Sequence, residues 1–343
     1  MKQFSIQENE AGQRFDKYLK KLLKNASSGF LYKMLRKKNI TLNEKKAEGS
    51  EILKTGDTVH LFLADETFDK FSGVTPSDDA YTVYTKEDLV TNKLHIQYED
   101  DHILVLNKPA GMLSQKAGRE DISVNEYLIG YLLFKKELTP EMLQTFKPAA
   151  VNRLDRNTSG LILCGKTLPG LQYLSDIIKN RTLEKYYRCI AEGSIPEKAL
   201  LEGYLSKDTV KNQVSVVREQ QEDASFVKTE IDPISQYKYG HETYTELSVH
   251  LITGKPHQIR AHLSSIGHPI LGDKKYGGSM NVMGKDQPGN RLLAVKRQLL
   301  HAYQVSFPET QGTFSYLSGK TITAEPPYDY KHILKELQNG NME

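Results

Sequence analysis

Asp155 is the only acid in the stretch Val151-Asn152-Arg153-Leu154-Asp155-Arg156-Asn157-Thr158-Ser159-Gly160, where it stands between two arginines. A lone carboxylate in a tight polar loop can act as a nucleophile or steady positive charge that develops on a substrate. The plainer reading stays open at this level, because Asp, Asn, Thr and Ser are common in turns, where their side chains bond their own backbone. With one acid in the loop, hydrolysis of a glycosidic bond is disfavoured: a departing group and an entering water call for two carboxylates. His257, His262 and His268 lie close together downstream, but no cysteine is near them. Their spacing matches no zinc pattern, and helical geometry would put His257 and His262 on different faces. The chain also lacks a Walker glycine loop, a Rossmann glycine fingerprint and the paired motifs of the zinc deaminases, so neither a metal nor a cofactor is expected.

The loop has to be held by its flanks. Ahead of it, Ile103-Leu104-Val105-Leu106 reads as a buried strand entering the turn Asn107-Lys108-Pro109-Ala110-Gly111, and Val124, Leu128, Tyr131 and Leu132 mark a helix over Asp121 to Phe134. After the loop, Leu161-Ile162-Leu163-Cys164 is a second apolar strand, Leu171, Leu174 and Ile178 define a helix, and Lys185 to Ala191 a strand. Thr209 to Gly254 reads as successive β-strands, most clearly in the alternation Leu247, Val249, Leu251. A helix carrying Ile259 and Leu263 then stops at Gly267.

The 343 residues suit two domains, and the formal net charge is only +3. The charge is unevenly spread: Gly12 to Lys54 holds twelve Lys or Arg against four acids, a local +8 that leaves −5 elsewhere. Such asymmetry points to a module that binds a polyanion. Beneath the charge, Phe15, Tyr18, Leu19, Leu22 and Leu23 share one helical face, and Phe30, Leu31, Met34 and Leu35 a second. Strands are expected at Ile40 to Leu42 and Val59 to Leu63, with a turn at Thr55-Gly56-Asp57. Residues 65–92 are acidic and without sustained period, and are expected to be a linker that lets two domains grip one RNA. Two cysteines without disulfide or metal spacing, no apolar signal core at the N-terminus and no run long enough for a membrane span lead to the expectation of a cytoplasmic protein.

The decapeptide around Asp155 resembles the catalytic signature of the RluA/RluC/RluD-type RNA pseudouridine synthases, usually His-Arg-Leu-Asp-x-x-Thr-Ser-Gly, with Asn152 standing in place of the usual His. The turn Lys108-Pro109-Ala110-Gly111, the run Thr253-Gly254-Lys255-Pro256-His257-Gln258-Ile259-Arg260, the segment Gly267-His268-Pro269-Ile270-Leu271-Gly272-Asp273 and Leu299-Leu300-His301-Ala302-Tyr303 resemble further segments of that family, in its order. Arg14-Phe15-Asp16-Lys17-Tyr18-Leu19, Leu35 to Asn43 and Lys54 to Val59 resemble the small S-four-like RNA-binding domain.

The resemblance implies an α+β protein. Its parts would be an S-four-like domain over 1–64, the acidic linker over 65–92, a catalytic domain over 93–330 with a mixed, largely antiparallel sheet flanked by helices, and a tail over 331–343. It implies isomerisation of uridine to pseudouridine without cofactor, with Asp155 as nucleophile or charge stabiliser, Arg260 as its partner, and Tyr187 stacked on the displaced base and taking a proton. Arg153 would fill the space left by the turned-out nucleotide, Asn152 would alter contacts to the loop or the RNA, and Arg14, Lys17, Lys33, Arg36, Lys37 and Lys38 would meet phosphates. The partner would be structured RNA, ribosomal above transfer RNA, bound by a monomer and not by a membrane protein. A catalytically silent RNA-binding or ribosome-assembly factor on the same scaffold is the alternative; a nuclease is disfavoured because the acid cluster for its metals is missing.

Overall fold

The computed structural model describes residues 1–73, 95–118, 121–140, 142–208, 213–217, 219–220, 223–282 and 293–340. Residues 1–73 gather around their own core. Strands β1 (Lys2–Ser5), β2 (Ile40–Leu42), β3 (Lys45–Lys46) and β4 (Thr58–Leu61) form an antiparallel sheet in the order β1-β4-β2-β3. Helices α1 (Phe15–Leu22) and α2 (Ser28–Arg36) close that core with Phe15, Tyr18, Leu19 and Leu22 from the first and Leu31, Met34 and Leu35 from the second, the faces that helical spacing picked out. Ser27 caps α2 by accepting Phe30 N–H at 3.2 Å.

The expected linker begins differently. Asp65–Ser72 is a helix, α3, whose Phe68 is buried in the same core and stacks on Phe4 at 5.9 Å between ring centroids. Phe71 packs on Phe30 at 4.4 Å. Two aromatic rings one turn apart find apolar partners on β1 and α2, and this outweighs the acidic composition that had suggested a linker. Residues 74–92 of that expectation lie outside the described residues.

From His95 onward one eleven-stranded sheet organises the chain. Its strands are β5 (His95–Glu99), β6 (Ile103–Lys108), β7 (Ala149–Ala150), β8 (Ser159–Gly165), β9 (Glu184–Glu192), β10 (Ala199–Asp208), β11 (Gln213–Val217), β12 (Ser225–Tyr239), β13 (Glu242–Leu251), β16 (Leu300–Ser306) and β17 (Thr321–Thr323), with β14 (Asn281–Val282) and β15 (Leu293–Ala294) paired apart from it. The main path runs β11-β10-β12-β13-β9-β16-β8-β6-β5, and β7 and β17 lie beside β8 and β16. The pairing is antiparallel except between β16 and β8, which run parallel, so the sheet is mixed and largely antiparallel as expected. Gly160 sits at that parallel crossing, with φ +115, opposite Ala302. A Cβ there would come within 2.3 Å of Ala302 O, so no other residue fits.

The continuous apolar runs follow from burial on both faces. Leu104, Leu106, Ile162 and Cys164 face the main core, under α4 (Val124–Phe134) and α7 (Gln258–Ser265); Ile103, Val105, Leu161 and Leu163 face the opposite side, under α6 (Leu168–Lys179). A short helix, α5 (Met142–Thr145), precedes β7. The expected tail over 331–343 is, as far as Gly340, most of helix α8 (Tyr328–Gly340), and 341–343 lie outside the described residues. Tyr330, Ile333 and Leu337 make one buried stripe that packs with Tyr237, Tyr239 and Tyr244 of β12 and β13. Burying each large apolar side chain is worth roughly 1.5–3 kcal/mol, enough to fix a helix whose other faces are charged. Among the described residues no helix is long and apolar enough to cross a membrane.

Candidate active site

The loop between β7 and β8 carries Asp155, and it is fastened from two sides. Ser114 Oγ donates to Leu154 O at 2.9 Å and accepts Leu154 N–H at 3.0 Å. The fully buried Lys108 donates to the carbonyls of Pro109, Met112 and Arg156 at 3.0, 2.9 and 3.1 Å, and Gly111 N–H reaches Arg156 O at 2.8 Å. The residues on either side of Asp155 are thus tied to the 108–114 segment. From the other side, Arg297 donates to Asn157 O at 3.2 Å while gripping Asp329 of α8 at 2.6 and 2.8 Å. His301, fully buried and pushed down to about 4 by burial, is neutral; with Nε2 directed at Ala324 O, its Nδ1 accepts the Ser159 hydroxyl at 2.9 Å.

Helix α7 brings the counter-charge. Arg260 Nη1 donates to Asp155 Oδ2 at 2.7 Å across 105 residues of sequence. The same guanidinium is held by Asp273, which is 1% exposed, through Nε–Oδ2 at 2.6 Å and Nη2–Oδ1 at 2.8 Å. Burial alone would lower the Arg260 pKa; the bonds and charge of Asp273, then of Asp155, more than offset it and raise it, so the cation is permanent. Its Cζ lies over the Tyr276 ring, 4.8 Å from the centroid. The geometry is a buried fork with one tine left for the loop carboxylate.

Tyr187 lies in mid-sheet on β9, opposite Val249 on one side and Ala302 on the other, and belongs to the main core. Burial first, and the negative field of Asp155 second, push its pKa up. The phenol therefore stays protonated: it is suited to stacking and to donating, and its surroundings disfavour a phenolate base. Asp155 and Arg260, which the resemblance paired, are in contact, and Tyr187, named by the same resemblance, lies within electrostatic reach of Asp155.

The other named residues divide. Arg153 is exposed beside Asp155. Asn152 turns its amide inward, donating to Leu161 O at 3.2 Å and accepting Leu163 N–H at 2.8 Å, so it extends the edge of β8 and does not point to a ligand. Lys17, Lys33, Arg36, Lys37 and Lys38 are exposed on the N-terminal helices and the turn after them. Arg14 is exposed as well but engaged, at 3.1 and 2.9 Å, by Asp16. The three histidines weighed as metal ligands take separate partners: His262 meets Thr229 at 2.8 Å, His268 meets Glu192 O at 2.8 Å, and His257 meets Tyr276 at 2.9 Å. Sequence reasoning gave no role to Asp273, Tyr276, Lys108, Ser114 or Arg297. The first three stand inside or next to segments already quoted; Ser114 and Arg297 have no local signal.

A protein-family model described as RNA pseudouridylate synthase matches residues 102–265. The ribosomal large subunit pseudouridine synthase D of Neisseria meningitidis is 30% identical over 331 residues, covering 96% of this chain and 79% of its own length. The ribosomal large subunit pseudouridine synthase C of Vibrio vulnificus is 30% identical over 303 residues, covering 88% of this chain and 87% of its own. Among solved structures, human RNA pseudouridylate synthase domain containing 4 is similar in fold, with a TM-score of 0.53 at 19% identity, covering 74% of this chain and 95% of that one.

Proposed function

The chain belongs to the RNA pseudouridine synthase family, and we propose that it isomerises particular uridines of ribosomal RNA with Asp155 as the catalytic carboxylate. It is an isomerase: the bond from ribose C1′ to ring N1 breaks, a bond from C1′ to ring C5 forms, the C5 proton leaves and N1 gains one. One proton leaves and one is gained, so the nucleoside keeps its composition and neither a cofactor nor an energy source is needed. The observation that carries the site assignment is the contact of Asp155 with a buried arginine that Asp273 already orients. A carboxylate held in that way is fixed toward one position and keeps its charge complemented as water is excluded.

Asp155 acts at C1′, as nucleophile or as stabiliser of the positive charge that develops there. Arg260 positions it, and Asp273 positions Arg260. Tyr187 supports the detached base by stacking, with its hydroxyl available as a donor. Arg153, exposed two residues before Asp155, fills the gap left in the RNA when the target nucleotide turns out, a step that costs a few kcal/mol. The N-terminal unit, with two helices on a small sheet and lysines outward, acts as an S-four-like module gripping the phosphate backbone. Ribosomal RNA is favoured by the names of the relatives above, and with it a cytoplasmic location; the chain is proposed to act as a monomer.

The test is incubation with large-subunit ribosomal RNA transcripts carrying tritium at uridine C5, followed by sequencing to map the modified position. Tritium release without chain cleavage is expected. Cleavage would mean a nuclease, and binding with neither would mean a silent scaffold factor.

A further inference from the structure

His257 is held in a way that gives it a defined role. Its backbone lies at φ 56, ψ 13, in the left-handed region, at the N-cap of α7. A non-glycine residue there costs about 1–2 kcal/mol, so the surrounding structure dictates the placement. The ring meets Tyr276 edge-on, at 88° and 5.7 Å between centroids. Nδ1 is 2.9 Å from Tyr276 Oη, and that oxygen already accepts Val214 N–H at 3.1 Å. Among the described residues the phenol proton therefore has His257 Nδ1 as its acceptor, which leaves the imidazole proton on Nε2. Burial pushes the ring's pKa down against the pull of Asp155, with Arg260 and Lys275 adding to the burial, so the group is a neutral donor and not a second cation.

That N–H faces the free half of the catalytic carboxylate. Arg260 takes Oδ2 of Asp155, and His257 Nε2 stands 3.8 Å from Oδ1. The distance is too long for a hydrogen bond but admits one oxygen within reach of both ends. We propose that the 2′-hydroxyl of the turned-out uridine occupies this gap, donating to Asp155 Oδ1 and accepting from His257 Nε2–H, so that His257 makes the enzyme prefer ribose over deoxyribose at the target nucleotide. This rests on the reading that Asp155 acts at C1′. Two sugar oxygens then lie next to the reacting carbon. O4′ only accepts and is repelled by a carboxylate; the 2′-hydroxyl donates and accepts, as the gap requires, and is the group that distinguishes RNA from DNA.

The experiment uses one RNA fragment containing the mapped uridine, prepared with ribose or 2′-deoxyribose at that nucleotide alone, in single-turnover reactions. His257→Asn tolerates the left-handed backbone but falls short of the gap, whereas His257→Gln keeps an N–H at longer reach. The wild-type protein should favour ribose by at least about tenfold, the worth of one such bond. In His257→Asn that ratio should fall several-fold while the bond to Asp155 keeps some preference for ribose, and His257→Gln should retain most of the wild-type ratio. Should the deoxy target go unconverted by every variant, the ratio is read from affinities measured in an Asp155→Asn background, with and without the His257 change. An unchanged ratio in His257→Asn, or no ribose preference in the wild type, overturns the assignment. A merely structural role for His257 would lower both rates together and leave the ratio alone. Failure of the wild type to make pseudouridine in ribose RNA would instead sink the functional reading itself.

Discussion

Asp273→Asn tests whether the proposed catalytic carboxylate depends on an arginine that is itself held in place. The substitution keeps the shape of a side chain that is 1% exposed but removes its charge, and it turns one of two acceptors, at 2.6 and 2.8 Å from Arg260, into an amide N–H that faces another N–H. Removing one partner of a buried ion pair costs about 3–5 kcal/mol. Because Arg260 keeps Asp155 as a partner at 2.7 Å, the low end of that range, about 3 kcal/mol, applies. If that loss falls on the transition state, at 1.36 kcal/mol per decade it lowers kcat by roughly a hundredfold. If it falls on folding, Tm drops by roughly 5–10 °C. Tritium release with kcat and KM separated, RNA affinity by filter binding and thermal unfolding measure each share. The expected result is a large fall in kcat, RNA affinity within about threefold of wild type, and a moderate fall in Tm. A folded Asp273→Asn protein with kcat within twofold of wild type, beside an inactive Asp155→Asn, would refute the argument that the Asp273 fork is what aims Arg260.

Asp155→Asn itself should abolish tritium release while leaving RNA binding within a few-fold; half the turnover remaining would remove Asp155 from the chemistry. Lys108, pushed down to about 7 by burial with Arg297 acting alongside and Asp155 against, has an ordinary value of 10.5 in the unfolded chain. Between those two values the unfolded chain holds a proton that the folded one has released. The lysine's contribution to stability should therefore rise with pH from about 7, by at most about 1.4 kcal/mol per unit. Near pH 9 the buried thiols of Cys164 and Cys189, both raised by burial, begin to act in the opposite sense. The unfolding free energy of wild type minus that of Lys108→Met, measured by denaturant from pH 6 to 9, should increase steadily as the buried charge is relieved; a flat difference contradicts the buried-lysine reasoning. Replacing Lys33, Arg36, Lys37 and Lys38 with Ala should flatten the salt dependence of RNA binding by roughly 0.7–0.9 in the log–log slope for each phosphate no longer neutralised, and an unchanged slope would relocate the RNA-binding face.

The parts of this molecule legible in its sequence are those governed by short-range periodicity or by a contiguous signature. The α1 and α2 faces, the doubly buried β6 and β8, α7 and the Asp155 loop all fall in that class. Sparser signals misled. In α8, Tyr330, Ile333 and Leu337 are separated by charged residues, and the aromatic surface that receives them comes from β12 and β13, roughly ninety residues earlier. No local pattern announces such a surface. The same holds within the site, where the Arg260 and Asp155 partnership spans 105 residues and was inferred from resemblance, not from spacing. Asn152 shows a third limit. Its position in the signature suggested altered contacts to the loop or the RNA, and which backbone groups its amide meets, Leu161 and Leu163 of β8, is fixed by strand register that only the folded chain displays.

The grip of Arg297 and Asp329 on the Asp155 loop sets an order of events during synthesis. Translation delivers Asp155 well before either residue, so a nascent chain has its loop carboxylate long before it has the clasp that seats it. Competence should therefore arrive abruptly, as the last elements emerge from the exit tunnel, and chains stalled before Arg297 should be silent on any RNA they meet.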